Sequence, residues 1–298
     1  MAISKLVYAP DRPAKSRWMV SLAVALLLSA PLAGQTERVV YISADMEGIA
    51  GLSDTDDPLG PRLMTLEVNA AVAGAFDGGA TAVVINDAHG SHANLAQDMV
   101  DPRATLLRGS LKPYGMMQGL ESSHAAVVFI GYHGQAGSLG SFAAHTGSGR
   151  VADLRVNGTS VGEGGMNVMY AAWVRVPVVF VSGDAVAVDQ VRDLAPDVRG
   201  VAVKQGIWNS AVQTMLPDSA RAAIRRTVAE ALRSRHRILE RPTSPVRVEL
   251  KYTTSLFADI AEGIPGVERV DGTTVAFTVA DYPAAYRMIR VLYKHLQP

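Results

Sequence analysis

Ala82-Val83-Val84-Ile85-Asn86-Asp87-Ala88-His89-Gly90 is the stretch from which the rest of the chain can be read. An unbroken apolar run rich in β-branched residues reads as a strand buried on both faces, closed by a polar, glycine-containing turn. The pattern recurs. Val39-Val40-Tyr41-Ile42-Ser43-Ala44 runs into Asp45-Met46-Glu47-Gly48, and Ala125-Ala126-Val127-Val128-Phe129-Ile130 into Gly131-Tyr132-His133-Gly134. Val178-Val179-Phe180-Val181 runs into Ser182-Gly183-Asp184, and Thr105-Leu106-Leu107 is a weaker strand. Between these runs the apolar spacing turns helical over 61–76, closed by Gly78-Gly79, and again over 164–174 and 185–194. Asn157-Gly158 centres a hairpin over 154–161. Buried strands alternating with helices predict an α/β fold, a mostly parallel sheet flanked by helices.

After Gly206 the style changes. A long Arg-rich amphipathic helix over 218–238 precedes an alternating strand over 246–252. A helix-like stretch, a strand pair around Asp271-Gly272 and a helix over 282–296 follow. This predicts a smaller C-terminal α+β domain over 207–298, behind a metal-binding catalytic α/β domain over 37–206. Residues 1–36 read as a leader. Lys15 and Arg17 precede the apolar run 18–28, which exits through Ser29-Ala30-Pro31-Leu32-Ala33-Gly34. That order predicts a signal peptide and export, periplasmic or secreted, with a mature chain beginning between Ala30 and Arg38. A retained membrane anchor is the other reading, and a cytoplasmic protein follows if the leader is not used.

Composition narrows the chemistry. Lys+Arg and Asp+Glu both number 28 in 298 residues, so no general basic surface offers itself to nucleic acid. The absence of cysteine removes disulfides, thiolate nucleophiles and sulfur-ligated metals, leaving His, Asp and Glu as metal donors. Five of the seven histidines fall between His89 and His145. In a parallel α/β sheet, ligands bind outside the carboxyl ends of the strands, where Asp45, Glu47, His89 and His133 all stand. Asp45 and Glu47 are two apart and point to one side in an extended chain. Imidazoles with hard carboxylates suit a zinc-like ion. Each residue also has an ordinary reading as a hydrogen-bonded or solvated group, and His92 rivals His89. Asp184 suits a helix cap. Locally, Glu163 reads as an acid favoured at a helix start. His145, in a Gly/Ser-rich loop after the fourth strand, reads either as a general acid or base or as a solvated side chain.

Asp45-Met46-Glu47-Gly48-Ile49, Asn86-Asp87-Ala88-His89, Gly131-Tyr132-His133, His145 and Val161-Gly162-Glu163 occur in one order and spacing. Together with Ala202-Val203-Lys204-Gln205 they resemble the D-aminopeptidases of the dipeptide-permease operon type, peptidase family M55, over nearly the whole chain after the leader. The resemblance implies a binuclear zinc aminopeptidase, with two zinc ions per chain, that releases D-alanine-type N-terminal residues from short peptides. It implies that Asp45 bridges the ions, that Glu47 and His133 complete one site and His89 and Glu163 the other, and that His145 is catalytic. Glu163 then becomes a ligand before it is a cap. A homo-oligomer is implied too, a decameric ring of two stacked pentamers with the sites facing an inner channel. The leader departs from the better-known cytosolic type and points to peptidoglycan-type or scavenged peptides outside the cytoplasm. The Gly/Ala-rich loop around His145 is a second departure, bearing on side-chain preference.

Elementary chemistry agrees with that activity. A pair of metal ions activates a bridging water, polarises the scissile carbonyl and takes a free amine as a ligand, which favours removal of a terminal residue. Two rivals share these residues: another binuclear hydrolase such as a phosphoesterase, for which Arg108 and Lys112 are the nearest cations, and a non-catalytic exported peptide-binding protein.

Overall fold

The computed structural model describes residues 37–296; the leader lies outside them. Strand β1 (Val39–Ala44) leads through a loop to helix α1 (Gly60–Asp77), then to β2 (Ala82–Asp87), β3 (Ala104–Leu107) and β4 (Ala126–Tyr132). The hairpin β5 (Val151–Val156) and β6 (Thr159–Ser160) precedes α2 (Glu163–Val174), β7 (Val178–Asp184) and α3 (Ala185–Leu194). A second hairpin, β8 (Arg199–Trp208) and β9 (Ala211–Thr214), leads to α4 (Pro217–Arg233). The chain closes with β10 (Val246–Tyr252), α5 (Ser255–Glu262), β11 (Val267–Arg269), β12 (Thr274–Val279) and α6 (Tyr282–Arg290), which widens into a π-helical turn, Val291–His295.

Seven strands form the main sheet in the order β3-β2-β1-β4-β7-β8-β9, parallel except for β9. Its strands alternate between two cores. Val40, Ile42, Val128 and Ile130 pack with α1 and α4, while Tyr41, Val127 and Phe129 pack with α2, α3 and α6. The second core continues onto an antiparallel sheet, β11-β12-β10-β5-β6. A buried polar chain ties the layers: Tyr286 Oη donates to Asn167 Oδ1 (2.7 Å), Asn167 Nδ2 to Tyr132 Oη (2.9 Å), and Tyr132 Oη to Ser43 Oγ (2.8 Å). Each buried polar atom in it has a partner, so the chain fixes α6 and α2 against the central strands.

The α/β architecture matches the expectation, but a division at residue 206 does not follow the sheets. Gly206 lies inside β8, β5 and β6 belong to the second sheet, and α4 returns to pack on α1. The described residues form one compact unit. The sequence also missed β8 as a strand, ran α4 five residues too far, and took α6 and the π turn as one helix. Asn157 and Gly158 have φ of 49° and 82°, the left-handed pair that an Asn-Gly hairpin turn requires. Among the described residues no helix is long and apolar enough to cross a membrane.

The register sets up the functional edge. Ala44 pairs with Asp87 on one side and Ile130 on the other, so β1 and β2 end level and β4 runs two residues further, to Tyr132. Gly131 follows with φ +75°, and a Cβ there would fall 2.1 Å from the Asp45 carbonyl oxygen. Gly131→Ala is therefore expected to cost about 2–4 kcal/mol, from the left-handed backbone and from displacing the Asp45 segment. Gly137 has φ +78° with open space around it, so Gly137→Ala carries only the backbone cost. Urea denaturation of both variants checks this, and equal losses would contradict the close approach.

Candidate metal centre

Asp45 and Glu47 leave the end of β1 in the centre of the sheet edge. The Asp45 N–H donates to Ile130 O (2.8 Å) and the Gly48 N–H to Gly131 O (2.8 Å), locking the turn to β4. Lys204, reaching in from β8, donates Nζ to Glu47 O (2.7 Å) and Leu52 O (2.6 Å) and lies over the Phe142 ring. Behind His89, Asp87 accepts from the Asn94 and Leu95 N–H groups, and Lys112 donates to Asn86 Oδ1 and Asp87 O. Behind His133, Asp184 accepts from Ser141 Oγ and from the Gly134 N–H (3.2 Å), and from Ala187 N as the cap of α3.

Six side chains converge there. His89 Nδ1 lies 3.3 Å from Asp45 Oδ1 and 3.0 Å from Glu47 Oε2. His133 Nε2 lies 3.5 Å from Asp45 Oδ2 and 3.4 Å from Glu163 Oε2. Asp45 thus turns one oxygen to each imidazole. The His133 Nδ1–H donates to Gly134 O (3.0 Å), which aims Nε2 at the carboxylates. His145 stacks on His133 with ring centroids 4.2 Å apart, and its Nε2 is 3.5 Å from Glu163 Oε1. The Gly147 N–H donates to that same oxygen (2.6 Å). The side chain of His145 is 25% exposed against 1% for His133, so His145 faces the cleft while His133 is sealed beneath it.

Three groups bring donor atoms within ligating reach of one another: Asp45-Glu47-His89, Asp45-His133-Glu163 and Glu47-His133-His145. Asp45 is shared by the first two. Strand order explains the grouping: β2 brings His89 to one side of β1, β4 brings His133 to the other, and α2 brings Glu163 beside His133. The close contacts therefore link Glu47 to His89 and His133 to Glu163, a different pairing from the one the resemblance implied. Glu163 makes no capping hydrogen bond, and its carboxylate turns to the two histidines. His92 belongs to none of these groups.

The electrostatics call for added positive charge. Burial, then the Glu47 carboxylate beside it, pushes Asp45 up to about 7. Burial also acts upward on Glu47 and Glu163. It is outweighed at Glu47 by the His89 hydrogen bond and His133, which hold that carboxyl well below the usual range. At Glu163 it is outweighed by His133, which brings it down to about 2. Burial alone would discharge the imidazoles, yet the carboxylates raise His89 to about 10 and His133 well above its ordinary value. Asp45 Oδ2 and His133 Nε2 remain buried without a hydrogen-bond partner. Two unpaired atoms facing each other among hard oxygen and imidazole donors fit a divalent cation, which neutralises the carboxylates while the imidazoles bind it uncharged.

The family model for D-aminopeptidases of peptidase family M55 matches residues 39–291. The chain belongs to the M55 family. A D-aminopeptidase of Bacillus subtilis (strain 168) is 35% identical over 264 residues, covering 85% of this chain and 96% of that protein. The solved structure of the Zn-dependent D-aminopeptidase DppA from Bacillus subtilis, a self-compartmentalizing protease, matches with a TM-score of 0.82 at 33% identity. That match covers 85% of this chain and 96% of DppA. The M55 chain described here is thus a peptidase built on the expected α/β scaffold.

Asp184 caps α3 as the sequence suggested and also holds the Gly134 N–H, while sequence reading overlooked Lys204, which holds the site, and Tyr293 and Arg290, which line its cleft of about 480 Å³. Lys204 and Asp184 sit inside motifs that were noticed. Arg290 and Tyr293 carry no local signal and come from the last helix and its π turn. Arg108 and Lys112, the cations weighed for phosphate, are both engaged elsewhere, with Gln97 and Ala93 O and with Asn86 and Asp87 O.

Proposed function

We propose that the chain is a binuclear zinc aminopeptidase that releases N-terminal D-residues, D-alanine-like in size, from short peptides. The observation that carries this reading is the shared Asp45 carboxylate, with one oxygen toward His89 and the other toward His133. Asp45, Glu47 and His89 would hold one ion, and Asp45, His133 and Glu163 the other. Bound there, zinc supplies Lewis acidity toward the scissile carbonyl and lowers the pKa of a water toward neutrality. The protein's own groups do the rest. Lys204 and Asp184 keep the Glu47 and His133 segments from moving. The His145 Nδ1–H is fixed on Ala143 O (2.8 Å), leaving Nε2 to carry the proton lost by the attacking water to the nitrogen of the departing amine. The D-preference rests on membership of the M55 family.

We also infer a closed homo-oligomer, a decameric ring in the fullest form of the reading, from an exposed apolar surface beside the site. Leu139, Ile207 and Trp208 are 92%, 60% and 72% exposed. They sit on two segments joined by the Gly206 N–H to Gly140 O bond (2.9 Å). Such a surface on a water-facing chain marks a contact face. Export through the leader would put this assembly outside the cytoplasm. Light scattering is expected to give a mass several times that of one chain, lowered in Trp208→Glu; a monomeric wild type would contradict it.

Purified protein is expected to bind about two zinc ions per chain. It is expected to cleave D-alanine p-nitroanilide in preference to the L-isomer, with no turnover of p-nitrophenyl phosphate. Asp45→Ala is expected to lose both ions, and His89→Ala to lose metal together with activity. His145→Ala is expected to keep its metal while kcat and kcat/KM fall alike, by roughly 10²–10⁴-fold. Elemental analysis and steady-state kinetics decide it: full metal content in Asp45→Ala, or an active His145→Ala, would sink the assignment.

A further inference from the structure

The cleft that opens on Asp45 has a cationic end as well, lined by His92, Arg290, Tyr293 and Lys294. Arg290 is only 4% exposed. Its guanidinium makes one long hydrogen bond, to Tyr293 Oη at 3.4 Å, and no ion pair among the described residues. Lys294, half-buried one residue beyond Tyr293, has no hydrogen bond or ion pair among the described residues either. A buried guanidinium without a carboxylate is strongly unfavourable unless something else supplies the anion. Basic residues do favour helix C-termini, but that effect is smaller than the cost of burying an unpaired charge.

The slot for this guanidinium is built into the fold. It lies against Gly115, where a Cβ would fall 2.0 Å from the Arg290 Nη1. The π turn Val291–His295 sets Tyr293 and Lys294 beside it, and such turns recur at functional sites. The polar chain through Tyr286, Asn167 and Tyr132 holds this helix to the central strands. Tyr293 also connects the two ends of the cleft. Its ring packs on Gly147, whose N–H donates to Glu163, while its hydroxyl accepts from Arg290. One phenol ring therefore separates the cation from the carboxylate–imidazole cluster. Burial, then the charges of Lys112, Arg290 and Lys294, holds the His92 imidazole down to about 3, another sign that positive charge gathers on this side.

We propose that Arg290 and Lys294 form a subsite for the free C-terminal carboxylate of a short peptide. The inference rests on the aminopeptidase reading and names its substrate class. With the scissile bond at His145, the carboxylate of a dipeptide lies about one residue, roughly 3.5 Å of extended chain, further along the cleft. The planar guanidinium suits a carboxylate held by two parallel hydrogen bonds, and Lys294 adds a mobile charge. An amidated or much longer peptide leaves Arg290 unpaired and is disfavoured.

The test compares kcat/KM of the zinc-loaded full chain on D-alanyl-D-alanine, its C-terminal amide and D-alanine p-nitroanilide. Wild type is expected to prefer the acid over its amide by roughly 10–100-fold, mainly through KM. That ratio is expected to collapse toward one in Arg290→Met and to fall partway in Lys294→Met. Arg290 is buried, so melting temperatures accompany the kinetics. If Arg290→Met does not fold, the wild-type ratio and Lys294→Met decide. Equal rates on acid and amide in wild type, with the p-nitroanilide still cleaved, overturn the subsite and leave the aminopeptidase reading intact. An acid preference that survives both substitutions in folded protein overturns it as well. Failure to cleave any of the three substrates overturns the aminopeptidase reading and the subsite with it.

Discussion

Asp45 holds a buried carboxylate between two imidazoles, and most of the surrounding architecture exists to make that contact possible. The contact needs three neighbouring strands to deliver their ends to one edge, which the parallel register of β2, β1 and β4 provides. It needs the backbone after β4 to pass so close to Asp45 that only glycine fits at position 131. It also needs buried charge behind the ligand segments, which Lys204, Lys112 and Asp184 supply through bonds to backbone groups. A cluster of three carboxylates in a low-dielectric site is unstable on its own account, so the same features that fix the geometry create the demand for cations.

Much of this was legible in the sequence because parallel sheets gather strand ends on one edge. Asp45, Glu47, His89 and His133 all stand in the short turns that close apolar runs, so identifying the runs locates the edge. Glu163 was not legible locally. An acid at the start of a helix has an adequate explanation in the helix dipole, and only the position of α2 beside β4 turns it toward His133 and His145. Which of these side chains lie against one another was likewise hidden, since it depends on which strand lies on which side of β1.

The strand β8 was missed for an instructive reason. Lys204 and Gln205 interrupt its apolar run, and two glycines flank them at positions 200 and 206. Lys204 is buried because its ammonium reaches the Glu47 segment, so the residue that supports the site is the one that disguised the strand. Pairing of β5 with β10 across the chain broke the expected division at residue 206, because a strand's partner is set by the packing of its faces and not by its own residues. Arg290 escaped because what sets it apart, a buried guanidinium with no ion pair among the described residues, is visible only in the folded chain.

Diffraction from zinc-loaded crystals, recorded on both sides of the zinc absorption edge, decides whether Asp45 is shared by two ions. Two anomalous peaks per chain are expected, each within bonding distance of a different Asp45 oxygen, one beside Glu47 and His89 and the other beside His133 and Glu163. A single peak, or peaks that do not share Asp45, would contradict it.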